Sequence, residues 1–244
     1  MGEGQLVRLR IKLALAGKEI PLNYKHYVQS LVYSMMGMSD KFTQLHDVGN
    51  IIENRKYKLF VISDILGHFK INNETKSMAF LNNGYFELAS IDEDILIEVT
   101  NYLNLNRVIH IGKVLVEHNG YDVLSPRLEV KDVVEFESIS PVTIYQTEEN
   151  RTIYLEPESH EFIESIKQNI INKYLLVYER YPVEFEIKII QTKRKRLVHF
   201  KHSFFVTYDI TIGVTNATHE LIDLLLCTGI GSKNSMGFGM LKRL

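Results

Sequence analysis

The heptapeptide Val7-Arg8-Leu9-Arg10-Ile11-Lys12-Leu13 alternates apolar and basic residues at every step. A period of two is that of a strand with one face buried. Val7, Leu9, Ile11 and Leu13 are therefore expected to face a core, and Arg8, Arg10 and Lys12 to form a basic face. After Pro21, Tyr24, Tyr27, Val28, Leu31 and Met35 recur at helical spacing behind Asn23, a residue able to cap a helix, and the run stops at Gly37. One short helical turn is expected at 40–45. Strand-like runs follow at 57–63, 77–81 and 85–89, the last two joined by Asn82-Asn83-Gly84, a hairpin-type turn. Ser90 and Glu93 read as a capping box ahead of Ile95, Leu96, Val99 and Leu103. A strand at 108–116 closes the first half.

The second half repeats the order: a strand near 134–145, then a helix from Ser159 through Phe162, Ile166, Ile170 and Tyr174. Long strands at 183–190 and 198–211, a helix at about 218–226 and a final strand at 238–244 complete it. Because each helix sits between strands in the split βαβ pattern, the reading is α+β: two tandem ferredoxin-like (RRM-like) βαββαβ domains. The boundary falls near Lys131, giving residues 1–131 and 132–244.

With 244 residues, 45% of them hydrophobic and 24% charged, the chain can bury a proper core, which excludes disordered and fibrous classes. No apolar run approaches the ~18 to 20 residues of a membrane span, and residues 1–10 are charged rather than signal-like. A soluble, cytoplasmic protein is expected. The single cysteine, Cys227, has no internal partner for a disulfide and lies beside Leu224, Leu225 and Leu226, where a buried thiol is the ordinary finding. A net charge of −2 exerts no global pull on a polyanion, so nucleic-acid binding would rest on local basic clusters. Lys193-Arg194-Lys195-Arg196, between two predicted strands with Lys188 and Lys201 nearby, is such a cluster. A solvated hairpin tip is the plainer alternative; together with Arg8, Arg10 and Lys12, an RNA-tracking surface is favoured.

Between the last predicted helix and the last predicted strand lies Gly229-Ile230-Gly231-Ser232-Lys233-Asn234-Ser235-Met236-Gly237-Phe238-Gly239. Glycines this dense permit a tight chain whose N–H groups approach a phosphate backbone, with Lys233 adding charge. Dinucleotide and P-loop motifs place their glycines after a strand and before a helix, the reverse of this order, so an adenine-dinucleotide cofactor is not expected. A glycine-rich crossing with a purely structural use fits the composition equally well.

This loop, followed by Met240-Leu241-Lys242, resembles the C-terminal glycine loop of the RAMP superfamily, most closely its repeat-cleaving branch, the Cas-six family of CRISPR endoribonucleases. Leu31-Val32-Tyr33, Leu45-His46-Asp47-Val48, Lys58-Leu59-Phe60, Ser140-Pro141-Val142 and Phe185 ahead of a basic strand extend the resemblance over both halves. It implies a metal-independent cut within CRISPR repeat RNA, without a cofactor, leaving a 2′,3′-cyclic phosphate and a 5′-hydroxyl. Such a cut requires a group to take the 2′-hydroxyl proton, one to protonate the departing 5′-oxygen, and a cation for the phosphorane charge. The resemblance assigns His46 as general acid, Tyr33 as the group that positions or deprotonates the 2′-hydroxyl, and Lys58 as the cation. The segment 49–57 is longer here than in similar members, so Lys56 or Arg55 stands as an alternative cation. Gly229, Gly231, Lys233, Gly237, Gly239 and the 193–196 run are assigned to RNA. A non-catalytic RAMP subunit that holds guide RNA in an effector complex would share the fold and loop but tolerate loss of His46. Effector subunits and a second copy of the chain stay open as partners.

Of the remaining histidines, His199 and His202 lie three apart in a strand-like run, on opposite faces, which argues against a metal pair.

Overall fold

The computed structural model describes residues 8–37, 50–52, 55–125, 129–149 and 151–244. Their elements run β1 (Arg8–Leu13), β2 (Glu19–Pro21), α1 (Lys25–Met36), β3 (Asn50–Ile52), β4 (Arg55–Tyr57), β5 (Phe60–Ile62), β6 (Phe69–Asn72), β7 (Ser77–Phe80), β8 (Gly84–Ser90), α2 (Glu93–Leu105), β9 (Val108–Ile111) and β10 (Val114–Leu124). There follow β11 (Val133–Ser138), β12 (Tyr145–Glu148), β13 (Arg151–Tyr154), α3 (His160–Tyr178), β14 (Glu186–Phe200), β15 (Ser203–Thr215), α4 (His219–Thr228), a 3-10 turn at Asn234–Met236, and β16 (Leu241–Arg243).

The first main sheet has the order β5-β8-β1-β10-β9 and the second β14-β15-β11-β16. With strands numbered within each half by their place around the two helices, both sheets read second, third, first, fourth; β9 is an added edge of the first. The pairings are antiparallel throughout.

The alternation of β1 does what its period dictates for the apolar set. Leu9, Ile11 and Leu13 are fully buried against Val28, Leu31, Val32 and Met35 of α1 and Ile95, Leu96 and Val99 of α2. In the second half Phe162, Ile166, Ile170 and Tyr174 recur every four residues, forming one stripe of α3 that packs on Val134, Phe136, Ile210 and Ile212. Each such side chain contributes roughly 1.5–3 kcal/mol by leaving water. Ser159 caps α3 by accepting the Phe162 N–H at 3.2 Å, and Thr218 caps α4 by accepting that of Leu221 at 3.2 Å.

Several local expectations need correction. Asn23 does not cap α1; Tyr24 holds the cap position without a side-chain capping bond, and the Asn23 carbonyl is taken by His26 Nδ1 at 2.7 Å. Asn82-Asn83-Gly84 does not close a hairpin, because β8 pairs with β1 and β5 while β7 joins a separate three-stranded sheet, β2-β7-β6. The α2 cap is Asp92, whose carboxylate accepts the Asp94 N–H at 3.1 Å, two residues past Ser90. The strand expected at 108–116 is two, reversing at Gly112 with φ +63. Residues 186–200 form one strand with register shifts at Ile189/Gln191 and Thr192/Arg194, so the basic run 193–196 is mid-strand and the hairpin tip lies at Lys201-His202. The helical turn expected at 40–45 and His46 lie outside the described residues. No described helix is long and apolar enough to cross a membrane.

Candidate functional site

α1 carries a polar stripe beside its apolar one. Lys25, Gln29 and Tyr33 are spaced by four, and at about 100° per residue they stay on one flank of the helix. The Tyr33 ring packs at the edge of the core, T-shaped against Phe60 at 5.9 Å. Its hydroxyl oxygen accepts a hydrogen bond from Lys58 Nζ at 2.7 Å. Two of the three residues proposed for cleavage chemistry thus touch, although 25 positions separate them in sequence. Gln29 Nε2 donates to the Ser235 carbonyl at 3.2 Å, which sets the glycine loop beside the same helix face. Gln29, Lys58, Tyr145, Asn169 and Lys233 line a cleft of about 840 Å³ there. Asn169 Oδ1 is a buried acceptor with no partner among the described residues.

The loop is gripped from within. Lys173 of α3 is 2% exposed, and its ammonium donates to the Thr228 carbonyl at 3.1 Å, the Gly229 carbonyl at 2.9 Å and Asn234 Oδ1 at 2.7 Å. Three acceptors match the three N–H bonds of an ammonium. Burial pushes the Lys173 pKa down to about 7. Asn234 Nδ2 then ties the loop across itself, donating to the Ile230 and Phe238 carbonyls at 2.9 and 3.0 Å.

These contacts revise the part assigned to the glycines. Gly229, Gly231, Gly237 and Gly239 are buried. Each has a positive φ, and a Cβ on Gly239 would sit 2.0 Å from the Ile230 carbonyl oxygen. The N–H groups of Ile230, Ser232, Met236, Gly237 and Gly239 are spent on carbonyls of the protein itself. The absent side chains serve the closure of the loop, and the part that opens to the cleft is Ser232, Lys233, Ser235 and Met236. Lys233, with φ +66, sits over the Tyr145 ring at 5.5 Å.

A larger cleft, about 1540 Å³, is lined by Arg10, Tyr85, Lys193, Arg194, Lys195 and Arg196 among others. The basic run reaches it, with Lys193, Arg194 and Lys195 exposed and Arg196 partly so. Carboxylates answer most of this charge: Lys195 meets Glu156 at 2.9 Å, Arg196 meets Asp209 at 2.6 Å and Asp64 at 3.3 Å, and Glu137 holds Lys193 and Lys242. The basic face expected of β1 is not a free one. Arg8 is buried on Glu87, Arg10 pairs with the same carboxylate at 2.7 Å, and Lys12 pairs with Asp122 at 2.8 Å. The buried partners Lys25, Asp64 and Lys173 escaped sequence reading, but the 25/29/33 spacing of the polar stripe was available to it.

Among the described residues no cluster of three histidine, cysteine or acidic groups is placed to hold a metal. His199 stacks on Phe204 with centroids 4.6 Å apart.

The two sheets share one strand order, and the glycine loop is gripped by Lys173 of α3 and lies beside α1 through Gln29, an architecture shared with solved RAMP structures. A solved structure described as "An RAMP protein binding different RNA substrates" superposes with a TM-score of 0.83 over 98% of this chain and 99% of that one, at 18% identity. A structure titled for a Cas6-related gene from Pyrococcus furiosus gives 0.83 at 20% identity, covering 98% of each chain. Residues 125–243 match the family model described as CRISPR associated protein Cas6, C-terminal. The curated CRISPR-associated endoribonuclease Cas6 of Pyrococcus furiosus is 24% identical over 246 residues, covering 97% of this chain and 89% of that protein. The chain thus matches the Cas6 C-terminal family model over residues 125–243 and is similar to curated CRISPR-associated endoribonuclease Cas6 proteins over nearly its whole length.

Proposed function

We propose that this protein is a metal-independent endoribonuclease that binds CRISPR repeat RNA and cuts it once per repeat, giving a 2′,3′-cyclic phosphate and a 5′-hydroxyl. The observation that carries the reading is the 2.7 Å bond from Lys58 Nζ to the Tyr33 hydroxyl, with Lys58 itself lining a cleft that the open part of the glycine loop also lines. The endoribonuclease name of the curated Pyrococcus furiosus relative supports it.

In the proposed step the 2′-oxygen attacks its own phosphorus, the P–O5′ bond breaks, and the 5′-oxygen leaves with a proton supplied by His46. Tyr33, its oxygen fixed by Lys58, positions or deprotonates the 2′-hydroxyl. Lys58 brings positive charge to the phosphorane, where an electrostatic partner is worth most. Lys233 and the open turn of the loop hold RNA backbone, and the 193–196 run anchors the repeat. We read the two sheets as tandem ferredoxin-like domains meeting near Lys131, a reading supported by their common strand order and by the lack of assigned strand or helix from Ser125 to Asp132 among the described residues.

The test is repeat RNA incubated with wild type and His46→Ala in excess EDTA, with deoxyribose placed at each position in turn. Single-site cutting by wild type, abolished by one deoxy substitution just upstream and by His46→Ala with binding retained, supports the proposal. Bound but uncut RNA in every case gives way to a non-catalytic guide-RNA subunit.

A further inference from the structure

The polar stripe of α1 does more than present Tyr33. Its first member, Lys25, is fully buried, and its ammonium donates to the Gly237 carbonyl of the glycine loop and to the Asp64 carboxylate. It also lies 4.8 Å from the centre of the Phe238 ring. One turn on, Gln29 takes the Ser235 carbonyl at 3.2 Å, and one turn further Tyr33 takes Lys58 at 2.7 Å. Successive members of an i, i+4 stripe are fixed about 6 Å apart by helix geometry. The open segment 232–236 of the loop is therefore held at a set distance from the Tyr33–Lys58 pair by one rigid element. α3 grips the loop too, Lys173 binding Thr228, Gly229 and Asn234, but only the α1 contacts at Ser235 and Gly237 join the loop to the helix that carries Tyr33.

Resting on the cleavage reading above, we propose that Lys25 and Gln29 are positioning residues: they set the glycine loop, and the RNA phosphate it holds, in register with Tyr33 and Lys58. Neither touches the reacting atoms. Asp64 makes the grip specific, since it accepts from Tyr24 at 2.9 Å and from Lys25 on one oxygen and from Arg196 at 3.3 Å on the other. With Tyr24 and Arg196 still in place, Lys25→Met leaves that carboxylate partnered. A displacement of about 1 Å between bound phosphate and catalytic groups is enough to cost about 100-fold in rate.

The experiment pairs two readouts on the full chain: hydrogen exchange of the 229–239 amides without RNA, and single-turnover cleavage alongside binding of repeat RNA. Gln29→Leu and Lys25→Met are expected to raise exchange across 235–239, leave the sheets protected, and slow cleavage about 10- to 100-fold at unchanged RNA affinity. Lys25→Arg, which keeps a cationic donor, is expected to recover most of the rate. Gln29 is only partly buried, so its variant decides the matter if Lys25→Met does not fold. Wild-type exchange and wild-type rates in Gln29→Leu overturn the inference, as does a loss confined to affinity. If wild type itself does not cut, the cleavage reading fails, and the exchange data alone decide whether the stripe holds the loop.

Discussion

Arg8 and Glu87 form a buried ion pair at 3.2 Å, with side chains only 5% and 4% exposed. The same guanidinium donates to the Leu226 and Leu241 carbonyls at 2.9 and 2.7 Å, so one residue of the first sheet ties down α4 and β16 of the second half. Removing one partner of a buried pair leaves polar groups unsatisfied and costs about 3–5 kcal/mol. Arg8→Met is therefore expected to lower stability by about that amount in a denaturant titration, although Arg10 still reaches Glu87 at 2.7 Å. A loss under about 1 kcal/mol, the ordinary worth of an exposed pair, would contradict the assignment.

Lys173 makes stability depend on pH in a stated direction. Burial holds its pKa in the folded chain at about 7, against an ordinary 10.5 in the unfolded one. Between those values the unfolded chain binds the extra proton, so this residue's contribution to stability rises with pH and is at its poorest below about 7. Thermal unfolding followed across that window should show the rise in wild type and lose that component in Lys173→Met.

Gly239 has φ +74, and a Cβ there would stand 2.0 Å from the Ile230 carbonyl oxygen, a backbone atom that cannot step aside. Gly239→Ala should cost at least about 1–3 kcal/mol from the backbone conformation alone, with the clash added. Gly17→Ala is the control, since its φ is +75 but nothing lies within 4 Å of the added methyl. Melting temperatures of the two variants separate the conformational part from the steric one.

Glu137 restrains Lys193, a cation that the RNA reading needs, together with Lys242 beside it in the larger cleft. It accepts from Lys193 and from Lys242, and those hydrogen bonds hold its carboxyl below the ordinary glutamate value. Glu137→Gln should tighten binding of repeat RNA and steepen its salt dependence by about 0.7 per lysine newly neutralising a phosphate. Affinity measured over a range of salt checks this; unchanged affinity and slope would mean that RNA does not engage these lysines.

What the sequence disclosed follows the range of the forces involved. The apolar alternation of Leu9, Ile11 and Leu13 and the four-residue stripe of Phe162, Ile166, Ile170 and Tyr174 are local patterns, and both core faces were legible. The same alternation misled for Arg8, because opposite the core lay Glu87, 79 residues away, rather than water. Asn82-Asn83-Gly84 has hairpin chemistry, yet β7 and β8 find better partners in different sheets, a tertiary choice invisible to the turn itself. The glycine loop was recognised by composition, but its grip by Lys173 spans 61 positions to Asn234. Of the proposed cleavage set, Tyr33 and Lys58 were named from resemblance rather than from any periodicity, and the contact between them is legible only in the structure.

The most direct test of the central claim is the single-turnover rate of repeat-RNA cleavage in Lys58→Met and Tyr33→Phe, measured in EDTA with RNA affinity determined in parallel. The account predicts a fall of about 100-fold or more in each, a double variant no slower than the worse single one, and unchanged affinity. Wild-type rates in both variants would contradict it, and so would a loss of rate that saturating RNA restores.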